Sequence, residues 1–371
     1  MNLVNTRPAC LKQYIPPPHG GISVAELRKM GMRPDMVVDF SVSVNPLGPP
    51  IEVNKNLRNM DFSSYPDIEN LILREAVGKL TGINPGQIIF GNGSMELINL
   101  LAQAYLQKGD TVFILGPTFS EYEMAARRKN AEVIYLNASY REGFNWDIAH
   151  TSKKIRLGKP KLVFLCNPNN PTGVYLSHET VSTLLEAVGE GLLVLDEAYV
   201  SFVHKPWDAT TLLQNGNIVI LRSMTKDYAL AALRLGYALC RPDVASAILF
   251  HQPSWSVNAA AQVAGAAALS DKEYLPKAMK LMMASKDYLF QELEFLGLRV
   301  CPAAANFLLV KVGDAKRLRY ELLKNGICVR DCSSFGLPEF IRVGVRTLPE
   351  CMHLISVLKG YIKTHQFLIN S

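Results

Sequence analysis

Four segments of this chain place a reactive residue type beside the partners that would give it work. Lys226 closes Arg222-Ser223-Met224-Thr225-Lys226, lies among few other charges, and is followed eight residues later by Arg234. A partly desolvated lysine has a lowered pKa and can condense with a carbonyl. Ser223, Thr225 and Arg234 can all donate to an anion. Asp196 directly follows four apolar residues in Asp196-Glu197-Ala198-Tyr199, and a carboxylate held at the rim of a sheet needs a cation or a donor. Asn170 sits in Asn167-Pro168-Asn169-Asn170-Pro171-Thr172-Gly173, where two Asn-Pro steps can extend neither strand nor helix and so specify a loop. Gly91-Asn92-Gly93-Ser94 feeds a helix beginning near Met95, which offers free N–H groups and a positive dipole end to a phosphate. That turn has neither the Walker Lys-Ser/Thr nor the GxGxxG spacing, so an ordinary ATP or dinucleotide site is not indicated. Each segment alone has a plainer reading: a turn, a loop, a helix N-cap, a surface lysine.

The elements that must carry these residues alternate in type. Short apolar runs at Gln87–Phe90, Thr111–Leu115, Glu132–Leu136, Leu162–Cys166, Leu192–Leu195, Ile218–Leu221 and Gly236–Cys240 read as strands. Several are apolar on both sides, as buried parallel strands are. Helices fit between them at Met95–Gln107, Ser120–Lys129, Ser177–Val188 and Ala229–Leu233. The expectation is an α/β large domain with a mostly parallel seven-stranded sheet between helices, over residues 36–258. From 259 to 371 the texture changes to an alanine-rich helical stretch, then strands at Asn306–Val310, Ile327–Arg330 and Phe340–Val345 with helices Asp314–Asn325 and Pro349–Tyr361, a smaller α+β domain. Residues 1–35, with Pro16-Pro17-Pro18 and His19-Gly20-Gly21, read as an arm belonging to the small lobe and lying over the site, with one short helix from Val24 to Met30 capped by Ser23.

Composition narrows the class. The chain has 371 residues, 49% apolar and 19% charged, which excludes a disordered chain. Its formal charge of +6 comes with no basic block of five residues, so no nucleic-acid partner is expected; Arg127-Arg128-Lys129 reads as a solvated helix face. No apolar run is long enough to span a bilayer and no signal-peptide core is present. The seven cysteines contain no CxxC pair, so no metal site is expected and they read as reduced core residues of a cytoplasmic protein.

Ligands of open α/β sheets bind at the carboxyl ends of the strands, where all four segments fall. Jointly they match the needs of one cofactor, pyridoxal 5'-phosphate: donors and an arginine for its phosphate, a lysine for its aldehyde, a carboxylate for its ring nitrogen and neutral donors for its phenolic oxygen.

At this point the sequence resembles the fold-type I pyridoxal-phosphate enzymes of the class I/II aminotransferase superfamily, from about His19 to the final helix. The resemblance implies that Lys226 holds the cofactor and moves the proton, that Asp196 pairs with the ring nitrogen, and that Asn170 and Tyr199 bond the phenolic oxygen. Phe119 and Ala198 would flank the ring, and Gly93, Ser94, Ser223, Thr225 and Arg234 would hold the phosphate. Tyr65, in Ser64-Tyr65-Pro66-Asp67, resembles a tyrosine that reaches the phosphate of the neighbouring subunit, which implies a homodimer with shared sites.

Two subfamilies compete, the histidinol-phosphate aminotransferases and the threonine-phosphate decarboxylases of cobalamin synthesis. His19-Gly20-Gly21, the Asp39–Gly48 stretch containing Asn45, Trp255-Ser256-Val257-Asn258 and the Leu221–Lys226 and Leu233–Tyr237 segments resemble the decarboxylases. There are departures. Ser43 replaces their usual Asn, Asp227 stands where an aromatic is usual, and Ser201 stands where both subfamilies are usually acidic. The expected reaction is therefore loss of CO2 from threonine phosphate or serine phosphate, giving aminopropanol phosphate or ethanolamine phosphate for the cobamide nucleotide loop. The alternative is transamination of histidinol phosphate with 2-oxoglutarate. By the same resemblance Arg342 takes the substrate carboxylate. Arg346 and His19 suit the substrate phosphate, with Arg330 and Asn45 completing the substrate set.

Overall fold

The computed structural model describes residues 19–214 and 216–364. Pro16-Pro17-Pro18 and Cys10 lie outside them. Seven strands form the large sheet: β1 (Ile88–Asn92), β2 (Thr111–Gly116), β3 (Glu132–Asn137), β4 (Leu162–Cys166), β5 (Leu192–Asp196), β6 (Ile218–Ser223) and β7 (Leu235–Leu239), in the order β1-β7-β6-β5-β4-β2-β3. β7 runs antiparallel to both its neighbours, while β6, β5, β4, β2 and β3 pair in parallel. Alternate residues of one strand enter different cores: Phe113 and Leu115 join one cluster, Val112 and Ile114 the other. Both faces are thus sealed by helices, which accounts for the near-continuous apolar runs.

Two details differ from the sequence reading. Residues 229–233 are not a helix. Ala229 at φ 55° and Arg234 at φ 60° bracket them in the left-handed region, and the backbone turns irregularly instead. The apolar run Ile327–Arg330 is not one strand either. Ile327–Cys328 pairs in parallel with Val38–Asp39, whereas Arg330–Asp331 pairs with Phe340–Gly344 in a second sheet.

That second sheet is antiparallel and four-stranded, in the order Arg330–Asp331, Phe340–Gly344, Phe307–Lys311 and Arg299–Cys301. The helices Tyr274–Phe295, Ala315–Lys324 and Leu348–Thr364 contribute to its core. Phe40, fully buried, belongs to this core rather than to that of the large sheet, and its carbonyl accepts from Gly344 N at 2.7 Å. The helix Val24–Lys29 lies on the same lobe. Ser23 accepts from Glu26 N, Leu27 packs with Leu323 and Cys328, and Glu26 pairs with Arg319 at 2.6 Å.

Candidate active site

The carboxyl ends of β4, β5 and β6 open onto one cavity lined by Ser94, Phe119, Tyr122, Asn170, Asp196, Ala198, Tyr199, Ser223, Thr225, Lys226 and Arg234. One end of it is built by close backbone approach. Gly93 precedes the helix Ser94–Tyr105 with φ 72°, and a Cβ placed there would stand 2.7 Å from the Arg234 guanidinium. Only glycine lets that cation lie against the helix N-terminus. Ser223 Oγ and Thr225 Oγ1 are 2.7 Å apart beside it, so three donors converge with the free N–H groups of the helix.

Asp196 ends β5 and is buried. Its Oδ1 accepts from Ala198 N at 3.0 Å and its Oδ2 from the Tyr122 hydroxyl at 2.7 Å. Burial pushes this carboxyl up, and the Tyr122 and Ala198 donors and the Lys226 charge oppose it. Tyr122 is missing from the sequence-derived set. It is fully buried, stacked on Phe164 at 4.9 Å and meeting Phe119 edge-on. Its signal was present in its place: it stands in the first turn of the helix Glu121–Arg128, which starts two residues past Phe119 at the carboxyl end of β2.

Lys226 is pushed down to about 8, first by burial and then by the Arg342 and Arg234 charges, with Asp196 opposing. Tyr199 is buried edge-on against Phe307 at 5.1 Å. Burial raises its hydroxyl, and Arg342 opposes this. Arg342, buried in the small sheet, reaches across to donate from Nη1 to Asn170 Oδ1, and from Nη2 to Ser41 O at 2.9 Å. Its buried Nε has no partner among the described residues.

The remaining sequence-derived residues do not all line this cavity. His19 Nε2 meets Glu121 Oε1 at 3.0 Å, with its ring 5.9 Å from that of Phe119, and its carbonyl accepts from Arg330 Nη1 at 3.3 Å. Arg330 also donates to Ser334 Oγ at 2.6 Å. Tyr65 is exposed and stacks on Trp255 at 4.7 Å. Arg346 is turned to Glu350, with Nη2 at 2.7 Å from Oε1, so within this chain its charge is already answered. Asn45 holds the lysine turn from behind: its N donates to Lys226 O at 2.9 Å and its Nδ2 to Asp227 O at 2.8 Å. Beneath the same region runs a second pair that the sequence reading did not single out, Glu197 with Arg222 at 2.9 Å. Among the described residues no cluster of His, Cys, Asp or Glu could hold a metal ion, and no helix is long and apolar enough to cross a membrane.

The donor set fits pyridoxal phosphate: a cationic, hydroxyl-rich end, a carboxylate at the base, amide and phenol groups at one side, and a lysine facing them. Comparison with known proteins agrees. The profile described as "Aminotransferase class I and II" matches residues 35–358, and the chain belongs to that family of fold-type I pyridoxal-phosphate enzymes. A histidinol-phosphate aminotransferase of Symbiobacterium thermophilum is 35% identical over 97% of this chain and 99% of its own length. In fold, the chain is similar to the histidinol-phosphate aminotransferase of Sinorhizobium meliloti solved with pyridoxal 5'-phosphate. The TM-score is 0.87, at 24% identity, covering 97% of this chain and 99% of that one.

These findings overturn the expectation of a phospho-amino-acid decarboxylase of cobamide synthesis. Relatives between 31% and 37% identical carry the name histidinol-phosphate aminotransferase. An L-threonine-O-3-phosphate decarboxylase of Porphyromonas gingivalis is similar at 25% identity and TM-score 0.76, covering 87% of this chain and 99% of that one. In this chain the decarboxylase-like segments make framework contacts around the site. Gly21 N donates to Ser41 Oγ at 2.7 Å, and Asn45 braces the lysine turn. Ser256 bonds Glu96, which caps Asn92 N at 2.8 Å, and Asn258 Nδ2 donates to Leu233 O at 3.1 Å.

Proposed function

We propose that this chain is an aminotransferase that takes the amino group of histidinol phosphate and passes it to 2-oxoglutarate. What carries the reading is the kinship with histidinol-phosphate aminotransferases along nearly the whole chain. The cavity geometry is compatible with it. When bound, pyridoxal phosphate supplies an electron sink for a carbanion at the substrate α-carbon. The protein's part is orientation and proton handling. Lys226, with its amine held near 8, is suited to both releasing and taking up a proton close to neutral pH. Asp196 would pair with the ring nitrogen and favour its protonated form, while Asn170 and Tyr199 would serve the phenolic oxygen. Phe119 and Ala198 would bound the ring, and Gly93, Ser94, Ser223, Thr225 and Arg234 would hold its phosphate. Arg342 offers its fork to the carboxylate of the acceptor, and Arg330, bonded to the His19 carbonyl, offers a second cation to the substrate phosphate.

In this reading residues 36–258 form the cofactor domain, 259–371 the small domain and 1–35 an arm over the cleft. The functional unit is a homodimer in which Tyr65 of the partner subunit approaches the phosphate end; the large exposure of Tyr65 supports this. The test is direct. Purified protein with cofactor, histidinol phosphate and 2-oxoglutarate should form glutamate and the corresponding ketone, with no product when the oxo acid is omitted. Absence of glutamate at saturating donor and acceptor would refute the assignment.

A further inference from the structure

The residue after the lysine does not line the cavity, yet it is tied to a residue that follows a cavity-lining one. Asp227 Oδ2 accepts from Ser201 Oγ at 2.9 Å, and its Oδ1 accepts from Tyr228 N at 2.8 Å. Ser201 lies in the one-turn helix Val200–Phe202, immediately past Tyr199, whose carbonyl accepts from Phe202 N at 3.1 Å. The bond therefore joins the turn bearing Lys226 to the turn bearing Tyr199, 26 residues earlier in the chain. The same lysine turn is held on its other side by Asn45, through the carbonyls of Lys226 and Asp227. Ser201 and Asp227 are also two of the three departures noted in the sequence. The structure shows these two to be the ends of a single hydrogen bond, with the acid on the lysine side.

The groups that set the Lys226 amine are burial, Arg342, Arg234 and Asp196. The Asp227 carboxyl, pushed up to about 6 by burial, is opposed by Ser201, by its own and the Tyr228 backbone N–H, and by the Arg222 charge. The other titratable groups that sense it are the phenols Tyr228, Tyr237 and Tyr274. A buried carboxylate whose two oxygens are each held by a fixed donor, one on the lysine turn and one on the Tyr199 turn, has a geometric task.

We propose that Ser201 and Asp227 act as one positioning unit that fixes the Lys226 turn against the Tyr199 turn, and so sets where the lysine meets the cofactor. The inference rests on Lys226 being the cofactor lysine, not on which amine is the substrate. It is tested with the holoprotein and no amino donor. The readout is the pH midpoint of the cofactor's visible absorbance together with the cofactor dissociation constant. Lys226→Ala first establishes that the band depends on the lysine; its persistence in that variant would remove the ground for the inference. Asp227→Ala and Ser201→Ala should each move the midpoint by about half a unit or more and weaken cofactor binding about fivefold, and the double variant should be no worse than the worse single. Asp227→Asn, which keeps an acceptor oxygen without the charge, should restore both values to within twofold of wild type in affinity and about 0.2 unit in midpoint. So should the exchange Ser201→Asp with Asp227→Ser, which re-forms the bond with its ends reversed. Additive single effects, an Asn variant as impaired as the Ala variant, or an exchange variant no better than the singles would overturn the proposal. An unmoved midpoint in both Ala variants would do the same.

Discussion

The Tyr122 hydroxyl donates to Asp196 Oδ2 at 2.7 Å from inside the core, while Ala198 N holds the other oxygen at 3.0 Å. Both oxygens of the carboxylate are thus fixed by the protein. The carboxylate gains a single orientation from groups with little freedom of their own, and Tyr122 is stacked on Phe164.

Tyr122→Phe keeps that stack and deletes the donor. A hydrogen bond to a charged acceptor contributes about 1.5–3 kcal/mol, so cofactor affinity should fall at least tenfold while the fold persists. Fluorescence titration of the apoprotein measures it. Unchanged affinity would show that Ala198 N alone orients the carboxylate.

Because the Lys226 amine is held near 8 rather than at its ordinary 10.5, the neutral fraction grows as pH rises through about 8. The rate at which apoprotein captures cofactor, followed by stopped-flow absorbance, should rise with that midpoint and level off above it. Asp196→Asn removes the one carboxylate that raises the amine, so its midpoint should lie lower. A wild-type midpoint close to 10.5 would contradict the enclosure of the lysine.

Arg342 and Arg346 lie four residues apart and should behave differently. Arg342→Ala removes the buried guanidinium bonded to Asn170 and Ser41; on the proposed reading it should raise KM for the oxo-acid acceptor about 100-fold, the equivalent of two to three kcal/mol for a charge-assisted pair. Arg346→Ala breaks only a partly exposed pair with Glu350, worth about 1 kcal/mol, and should leave KM within twofold. Steady-state kinetics of the two variants side by side separates them. An equal rise in KM would put Arg346 on the substrate.

The Glu197–Arg222 pair should matter for stability. Glu197 has a side chain with no exposure, and its Oε1 already lacks a partner among the described residues. Arg222→Ala would strand that carboxylate and should cost about 3–5 kcal/mol in urea unfolding. Replacing both members by apolar residues of similar volume should recover most of the loss. If the single and double variants unfold at the same denaturant concentration, the pair is not a buried charge pair in effect.

Much of this was legible in the linear sequence, for a physical reason. Strands buried on both faces must be apolar throughout, so β4, β5 and β6 announce themselves, and the polar residue ending each run must lie at the sheet's carboxyl edge. That placed Asn170, Asp196 and Lys226 together without coordinates. The residues 229–233 were misread because short apolar stretches carry a helix-like pattern whether or not the backbone can propagate one; left-handed dihedrals at Ala229 and Arg234 decide otherwise.

What the sequence determined alone was the fold class, the cofactor and most of the residues that line the cavity, because these depend on local pattern and on chemistry fixed by residue type. What only the tertiary structure decided were the partners. Tyr122 reaches Asp196 across 74 residues, Arg342 reaches Asn170 across 172, and Arg346 turns to Glu350. Ser201, read in the sequence as one departure, and Asp227, read as another, meet in one bond. Such pairings are set by how two sheets and the loops at their ends pack in space, and no periodicity along the chain encodes them.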